Sequence, residues 1–104
     1  ANAYAQKYYE ALYGKAYAIL IRSADLPESH YRLYNGLAST YLKTNNPIQA
    51  LKVNKWNIKI WPKKGEAHLI NAKAHLLLKA SHSACEEYLI ALEKGIRTEN
   101  IFCN

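Results

Sequence analysis

Apolar and polar positions along the chain recur with the spacing of amphipathic helices. In the segment 47–61, apolar side chains stand three and four positions apart. No segment shows the sustained alternation of a half-buried strand, and the Asn35-Gly36 pair, which can mark a hairpin turn, lies inside a helical pattern. The pattern therefore predicts an all-α fold of five or six helices joined by short loops.

Two local signals predict where helices begin. Asn46 followed by Pro47 predicts a helix start, because Asn caps helices well and Pro is accepted at the first helical position. Ser83 and Glu86 have the spacing of a capping box and predict a second start.

Glycine and proline predict where helices end. Gly95 suits the left-handed residue that follows a helix, and Pro27 and Pro62 end the helices before them. At the N-terminus, residues 3–24 fit either one long helix or a helix pair.

Small residues recur at one fixed interval, with a period of about 34 residues. Ala38 and Ala72 are separated by this interval, and so are Ala50 and Ala84. Such a period is typical of stacked helix–turn–helix repeats, because the two helices of a unit cross closely and admit only small side chains there. It predicts a single domain over 1–104, made of the parts 1–30 (a degenerate first repeat), 31–64, 65–98 and a C-terminal tail, 99–104.

Further positions share the spacing of one known family. In the second repeat these are Tyr34, Leu37, Ala38, Tyr41, Ala50 and Pro62, and in the third Ala72, Ala84, Tyr88 and Ala91. In these residues the chain resembles the tetratricopeptide repeat (TPR) family, although Asn54 and Asn57 stand where bulky and small residues are usual. The resemblance implies a TPR-like stack of about three antiparallel helix pairs, an α-solenoid fragment.

The resemblance also implies a concave groove lined by the first helix of each repeat. Its positions in this chain are Tyr8, Tyr9, Asn35, Ser39, Leu42, Lys43, Leu69, Lys73, Leu76 and Leu77. A largely apolar floor with lysines at its edges fits an amphipathic helix of a partner protein. The carboxylate clamp that some TPR proteins use is absent, since Gly36 stands at its central Asn place.

A second resemblance is to the small TPR co-chaperones of type III secretion needle subunits. Residues 32–39 and 48–51 and the connection 60–62 are similar to that family. The resemblance implies a cytosolic chaperone that buries an amphipathic helix of the needle subunit, prevents its premature polymerisation and works with a second small chaperone. The alternatives are a generic TPR adaptor fragment of a larger protein, since the sequence holds no Met, and a basic nucleic-acid-binding helical repeat.

The net charge of +6 is concentrated in the middle of the chain. Residues 29–65 hold seven Lys and Arg and no Asp or Glu, whereas the rest holds seven basic and eight acidic residues. Much of this charge forms a basic stripe of Lys52, Lys55, Lys59, Lys63 and Lys64. The stripe favours an acidic protein partner over nucleic acid, because no recognisable nucleic-acid-binding module is present.

The helix after Pro47 carries two apolar stripes. Ala50, Leu51, Ile58 and Trp61 fit a core-facing stripe, with Trp61 packed between repeats. Val53, Trp56 and Ile60 form the other, and we expect it to contact a partner, because a helix that is apolar on two sides must bury both.

Catalytic and metal chemistry find no support in the sequence. The four His residues at positions 30, 68, 75 and 82 lack the spacing of three or four that zinc ligands prefer. Cys85 with His82 lacks an orienting third group and an oxyanion donor. We therefore expect a non-enzymatic protein without a metal or cofactor.

Cysteine content and hydropathy bear on location. Two cysteines, Cys85 and Cys103, make no disulfide framework, which favours a reducing compartment and a cytoplasmic protein. No apolar run approaches the roughly 18–20 residues of a bilayer span, and the N-terminal residues do not have the order of a signal peptide.

Overall fold

The computed structural model describes residues 28–104, which form four α-helices and no strand. The helices are α1 (Glu28–Lys43), α2 (Pro47–Ile60), α3 (Glu66–Leu77) and α4 (Ser81–Glu93). The predicted all-α class is confirmed. The predictions for Tyr8, Tyr9 and residues 3–24 lie outside the described residues.

Each helix packs against the next, and α1 also contacts α3. The connections between them, 44–46, 61–65 and 78–80, are three to five residues long. Loops this short make successive helices antiparallel neighbours, so the described residues form two stacked helix pairs, α1/α2 and α3/α4.

The repeat period of the alanines is present in the helices themselves. α1 ends at Lys43 and α3 ends at Leu77, and α2 begins at Pro47 and α4 at Ser81. The boundaries on either side of the turn inside each helix pair are therefore separated by the same interval as Ala38 and Ala72, whereas the starts of α1 and α3, at Glu28 and Glu66, are not.

The turns inside the two helix pairs are also equivalent. Asn45 and Lys79, again one repeat period apart, have left-handed φ values of 60° and 59°. The backbone N–H of the next residue, Asn46 or Ala80, donates to the carbonyl five residues back, at 2.7 Å and 2.8 Å. The same turn thus closes α1 and α3, as expected where a helix ends in a left-handed residue.

The predicted start of α2 is confirmed and that of α4 is displaced. Asn46 is the N-cap and Pro47 the first helical residue, although the Asn46 side chain makes no capping hydrogen bond. The capping box at Ser83 is wrong, because α4 begins at Ser81 with Ala80 as its N-cap. The turn after α3 is complete at Ala80, so the helix starts before Ser83 is reached.

The predicted helix ends after Ile60 and before Gly95 are confirmed. α2 ends at Ile60, two residues before Pro62. Gly95 follows the end of α4 with a φ of 95°, and the N–H of Ile96 donates to the Ala91 carbonyl at 3.0 Å.

The core of the first helix pair consists of residues that the repeat pattern singles out and of two further apolar residues. Its buried members are Tyr34, Leu37, Ala38, Tyr41, Ala50, Val53 and Ile70. Trp61 packs against this cluster, with its ring edge-on to Tyr34 at 5.8 Å and to Tyr31 at 5.5 Å between centroids. Because Ile70 belongs to α3, the cluster joins the two helix pairs.

A polar seam accompanies the apolar core on α2. Asn54 and Asn57 are fully buried. The Asn54 side-chain amide donates to Asn71 Oδ1 at 2.9 Å and to the Ala67 carbonyl at 3.0 Å, and that of Asn57 donates to Asn35 Oδ1 at 2.8 Å. The two residues that depart from the family pattern therefore link α2 to α3 and to α1.

Gly65 lies where the α2–α3 connection passes the end of α4. A Cβ at this position would lie 2.7 Å from Ile96 Cγ1, 3.0 Å from Lys94 Cβ and 3.2 Å from the Ala91 carbonyl oxygen. We expect Gly65→Ala to lower the free energy of unfolding by about 1–3 kcal/mol, measured by urea denaturation. In the Gly65→Ala/Ile96→Ala double variant the loss of stability should be smaller than the sum of the losses in the two single variants, because the shorter side chain at position 96 removes the nearest contact. Strict additivity would contradict this reading.

Candidate functional site

The structure describes eight of the ten residues predicted to line a groove, all on α1 and α3. Lys43, Lys73 and Leu77 are exposed, whereas the others are half-buried: Asn35, Ser39, Leu42, Leu69 and Leu76. The Asn35 side chain already accepts the hydrogen bond from Asn57.

Three of the four groove leucines pack inside the protein. Leu42 contacts the core of the first helix pair. Leu69 and Leu76 contact a second buried cluster, which consists of Ala72, Ala84, Tyr88 and Phe102. Leu77 is half exposed, at 50%. The leucines of the predicted groove floor are therefore largely covered by contacts within the protein. Among the four groove leucines that the structure describes, only Leu77 is exposed.

The C-terminal tail, residues 99–104, belongs to this second cluster. Phe102 is 6% exposed and stacks on Tyr88, with 5.2 Å between ring centroids and 27° between ring planes. Asn100 Oδ1 accepts hydrogen bonds from the backbone N–H of Phe102 at 3.2 Å and of Cys103 at 2.9 Å. The tail turns back onto α3 and α4 and covers apolar surface at that end of the stack.

A disulfide joins Cys85 of α4 to Cys103 of the tail. This bond was not predicted from the sequence, because a spacing of 18 residues does not show that the tail folds back onto α4. Closing a loop of this length stabilises a fold by about 3 kcal/mol. Structural disulfides persist mainly in oxidising compartments, so the cysteines no longer support a cytoplasmic location.

Three exposed aliphatic side chains meet where α1 and α3 end. Ile48 is 56% exposed, Leu77 50% and Leu78 40%. Together with residues 45–47 and Gln49 they line one shallow depression of about 450 Å³. We call Ile48, Leu77 and Leu78 the turn edge, and a group of exposed aliphatic side chains on a small domain is a candidate contact surface.

The charged residues that flank the turn edge in the sequence are lysines, which we call the lysine rim. Lys79 directly follows Leu78, and Lys43 ends α1 just before the turn that leads to Ile48. Both are exposed, and neither has an ion-pair partner within residues 28–104. A positive rim around apolar side chains attracts an acidic partner and repels a basic one.

The predicted contact stripe on α2 is partly buried, and Val53 and Trp56 line an open depression of about 380 Å³ together with Lys52 and Lys55. Val53 is 4% exposed and belongs to the core, and Ile60 packs against that core. Trp56 is half-buried, with Lys59 Nζ 5.4 Å from its ring centroid. Val53 is thus mainly a core residue. Both apolar stripes of α2 contribute to that core, Ala50 and Trp61 from one and Val53 and Ile60 from the other, and sequence spacing does not show this.

The basic stripe is a surface feature. Lys52, Lys55, Lys59 and Lys63 are exposed, and Lys64 is half-buried with its Nζ 5.6 Å from the Tyr31 ring centroid. This stripe lies on α2 and on the connection that follows it.

Tyr31 links the two helix pairs through its hydroxyl group, which donates a hydrogen bond to the Glu66 carboxylate. Burial raises the pKa of Tyr31 to about 12, and the nearby Glu66 acts in the same direction. The hydroxyl is therefore protonated at physiological pH and acts as a donor between α1 and α3.

Two of the four histidines are engaged in pairs. His68 Nδ1 lies 2.7 Å from Glu87 Oε2, a partly buried pair between α3 and α4 that the sequence spacing does not reveal, and His82 Nε2 lies 2.6 Å from Glu86 Oε1. Within residues 28–104 no three His, Cys, Asp or Glu side chains are grouped to hold a metal ion. Cys85 is no thiolate while the disulfide is intact.

No helix in this part of the chain is long and apolar enough to cross a membrane. Comparison of the chain with protein-family models, curated proteins and solved structures gave no match.

Proposed function

We propose that this protein is a non-enzymatic binding module that holds an apolar, acidic helical segment of a partner protein at the turn edge. The observation that carries the proposal is the grouping of Ile48, Leu77 and Leu78, all substantially exposed, beside lysines that have no ion-pair partner within residues 28–104. An amphipathic helix with an apolar face and acidic flanks matches both properties.

The energetics require both the apolar and the charged contacts. Full burial of three half-exposed aliphatic side chains contributes roughly 2–5 kcal/mol, since each contributes about 1.5–3 kcal/mol when it is buried from a fully exposed state. Association itself costs about 4 kcal/mol or more in lost translational and rotational freedom. The lysine rim must therefore add to the binding energy, and the affinity should fall as salt rises.

The more specific form of this proposal is a cytoplasmic co-chaperone of a type III secretion needle subunit, acting with a second small chaperone. It rests on the resemblance in residues 32–39, 48–51 and 60–62. It also requires that Cys85 and Cys103 be reduced in the cell, because the cytosol keeps thiols reduced. A generic TPR adaptor fragment requires no particular compartment.

The test compares Leu77→Asp with Leu89→Asp, a matched control that is 51% exposed on α4. The probe is a synthetic amphipathic helix with a leucine face and glutamate flanks. Its length of about 18 residues covers the turn edge and leaves several helical turns beyond it. We expect Leu77→Asp to weaken binding about tenfold or more by calorimetry, whereas Leu89→Asp changes it less than about twofold. A lysine-flanked version of the peptide should bind far more weakly.

Equal losses for the two variants would overturn the turn edge as the site. A peptide from the C-terminal helix of a needle subunit tests the more specific form, and its failure alongside binding of the acidic helix would exclude only that form. Binding of single-stranded DNA with a steep salt dependence, lost in Lys52→Glu/Lys55→Glu and kept in Leu77→Asp, would instead favour a nucleic-acid-binding repeat.

A further inference from the structure

The second buried cluster contains a recess that receives an aromatic ring. Its walls come from α3 and α4 and consist of Leu69, Ala72, Leu76, Ala84, Tyr88 and Leu92, which we call the tail seat. Phe102 of the C-terminal tail is the side chain that enters it. Because Ala72 and Ala84 have small side chains, the seat has room for a ring supplied by another segment.

Few contacts hold the tail in this seat. Residues 97–101 are exposed and form no helix or strand. The Phe102 ring and the Cys85–Cys103 disulfide attach the tail to the helices, whereas the hydrogen bonds at Asn100 lie within the tail. The disulfide is the one covalent attachment among these.

The disulfide lies at the surface. Cys85 and Cys103 are each half-buried. Cys85 lines an open depression of about 410 Å³ together with Ser81, His82, Leu76 and the tail residues Ile101, Phe102 and Asn104. A dithiol can therefore approach the sulfur atoms without unfolding of the helices.

We propose that the tail seat is a second binding site, for an apolar segment of a partner protein anchored by an aromatic ring, which the chain's own tail occupies while the disulfide is intact. The Ile101-Phe102 pair is the template for that occupant, because it shows what the seat accepts. When the tail leaves the seat, Leu69 and Leu76 become available to the partner. Both belong to the leucines predicted to line a groove. The site is distinct from the turn edge.

Opening of the seat is a thiol–disulfide exchange with a dithiol reductant. A thiolate of the dithiol forms a bond with one cysteine sulfur, the Cys85–Cys103 bond breaks, and the other cysteine leaves as a thiolate and takes up a proton. The second thiol of the reductant then attacks the mixed disulfide and releases the first cysteine, which is protonated in turn. The protein gains two electrons and two protons, and the reductant becomes a disulfide.

The partner must compete with the released tail. A tail that stays connected to α4 has a high effective concentration at the seat, so a partner gains access only when the attachment is weakened. While the disulfide is intact the tail stays in the seat and a partner cannot displace it. After reduction, the affinity of the tail for the seat depends on the Phe102 ring.

The first experiment is limited tryptic cleavage of the full chain, oxidised and reduced with dithiothreitol. We expect cleavage after Arg97 to accelerate about tenfold or more on reduction, because the tail leaves the seat. Cleavage after Lys79, in the α3–α4 turn, is the matched control and should not change. Equal acceleration at both sites would show that the disulfide stabilises the whole fold, and no acceleration would show that the tail stays bound; either result overturns the proposal.

The second experiment measures binding to the vacated seat. The probe is a fluorescent peptide of residues 96–104 with Cys103→Ser, titrated by anisotropy into full-length protein. We expect the reduced Phe102→Ala protein to bind this peptide about tenfold or more tighter than the oxidised wild type. The same peptide with Phe102→Ala should not bind. Equal binding by both proteins, or binding that does not need the ring, would overturn the proposal, and Leu77→Asp should leave the result unchanged.

Discussion

Replacing Ala72 by Leu should lower the free energy of unfolding by about 3 kcal/mol, at the upper end of the range for overpacked cores. Ala72 has no exposed surface and lies in the second buried cluster with Ala84, Tyr88 and Phe102. A leucine adds three carbon atoms at a place where α3 meets α4 and the tail, so the helices must separate to admit it. Guanidinium denaturation followed by circular dichroism measures the change.

Lys73→Leu provides the matched control for this prediction. It introduces the same side chain one residue later on α3, at an exposed position, and should change stability by less than about 0.5 kcal/mol. Ala38→Leu occupies the equivalent place in the preceding helix pair, also without exposed surface, and should behave like Ala72→Leu. A loss for Ala72→Leu no larger than that for Lys73→Leu would contradict close packing at the repeating alanines.

Replacing Asn54 by Leu should cost about 2 kcal/mol, because it leaves buried polar groups without a donor. The Asn54 amide is the donor to both Asn71 Oδ1 and the Ala67 carbonyl, so its removal leaves Asn71 buried with an unpaired oxygen. In the double variant Asn54→Leu/Asn71→Leu the side-chain penalty disappears, and stability should return to near the wild-type value or exceed it.

A double-mutant cycle with Asn71→Leu isolates the coupling between the two side chains. We expect a favourable coupling of about 1 kcal/mol or more between the two asparagines. Within residues 28–104 the buried Asn54 Oδ1 accepts no hydrogen bond, which limits what the seam contributes to stability. Stabilisation by Asn54→Leu alone would show that the cost of burying this amide exceeds the value of its two hydrogen bonds.

The features that could be predicted from the sequence are local or periodic. The start of α2 at Pro47 and the left-handed Gly95 after α4 follow from the conformations that these residues accept on their own. The period of the repeating alanines recurs in the helices, since α1 and α3 end, and α2 and α4 begin, one period apart. Even so, the Ser83 capping box failed, because the preceding turn decides where α4 begins.

The candidate site was predicted much less completely. Leu77 was identified as a partner-binding residue by resemblance and is exposed, but Ile48 and Leu78, which join it at the turn edge, were not. Sequence spacing predicts which residues share a face of one helix. It does not show which residues from different turns of the structure lie close together. An exposed Leu or Ile carries no sequence signal that separates it from a core residue.

The sequence by itself therefore determined the helical class, the start of α2 at Pro47 and the periodic small residues that are buried in the structure, because these depend on neighbouring residues and on a fixed period. Only the tertiary structure decided that Val53 faces the core, that Phe102 fills a recess between α3 and α4, and that Cys85 is bonded to Cys103. Each of these depends on how a helix is rotated or where the tail returns. Those choices are made by the packing of distant segments, which local propensity and spacing do not encode.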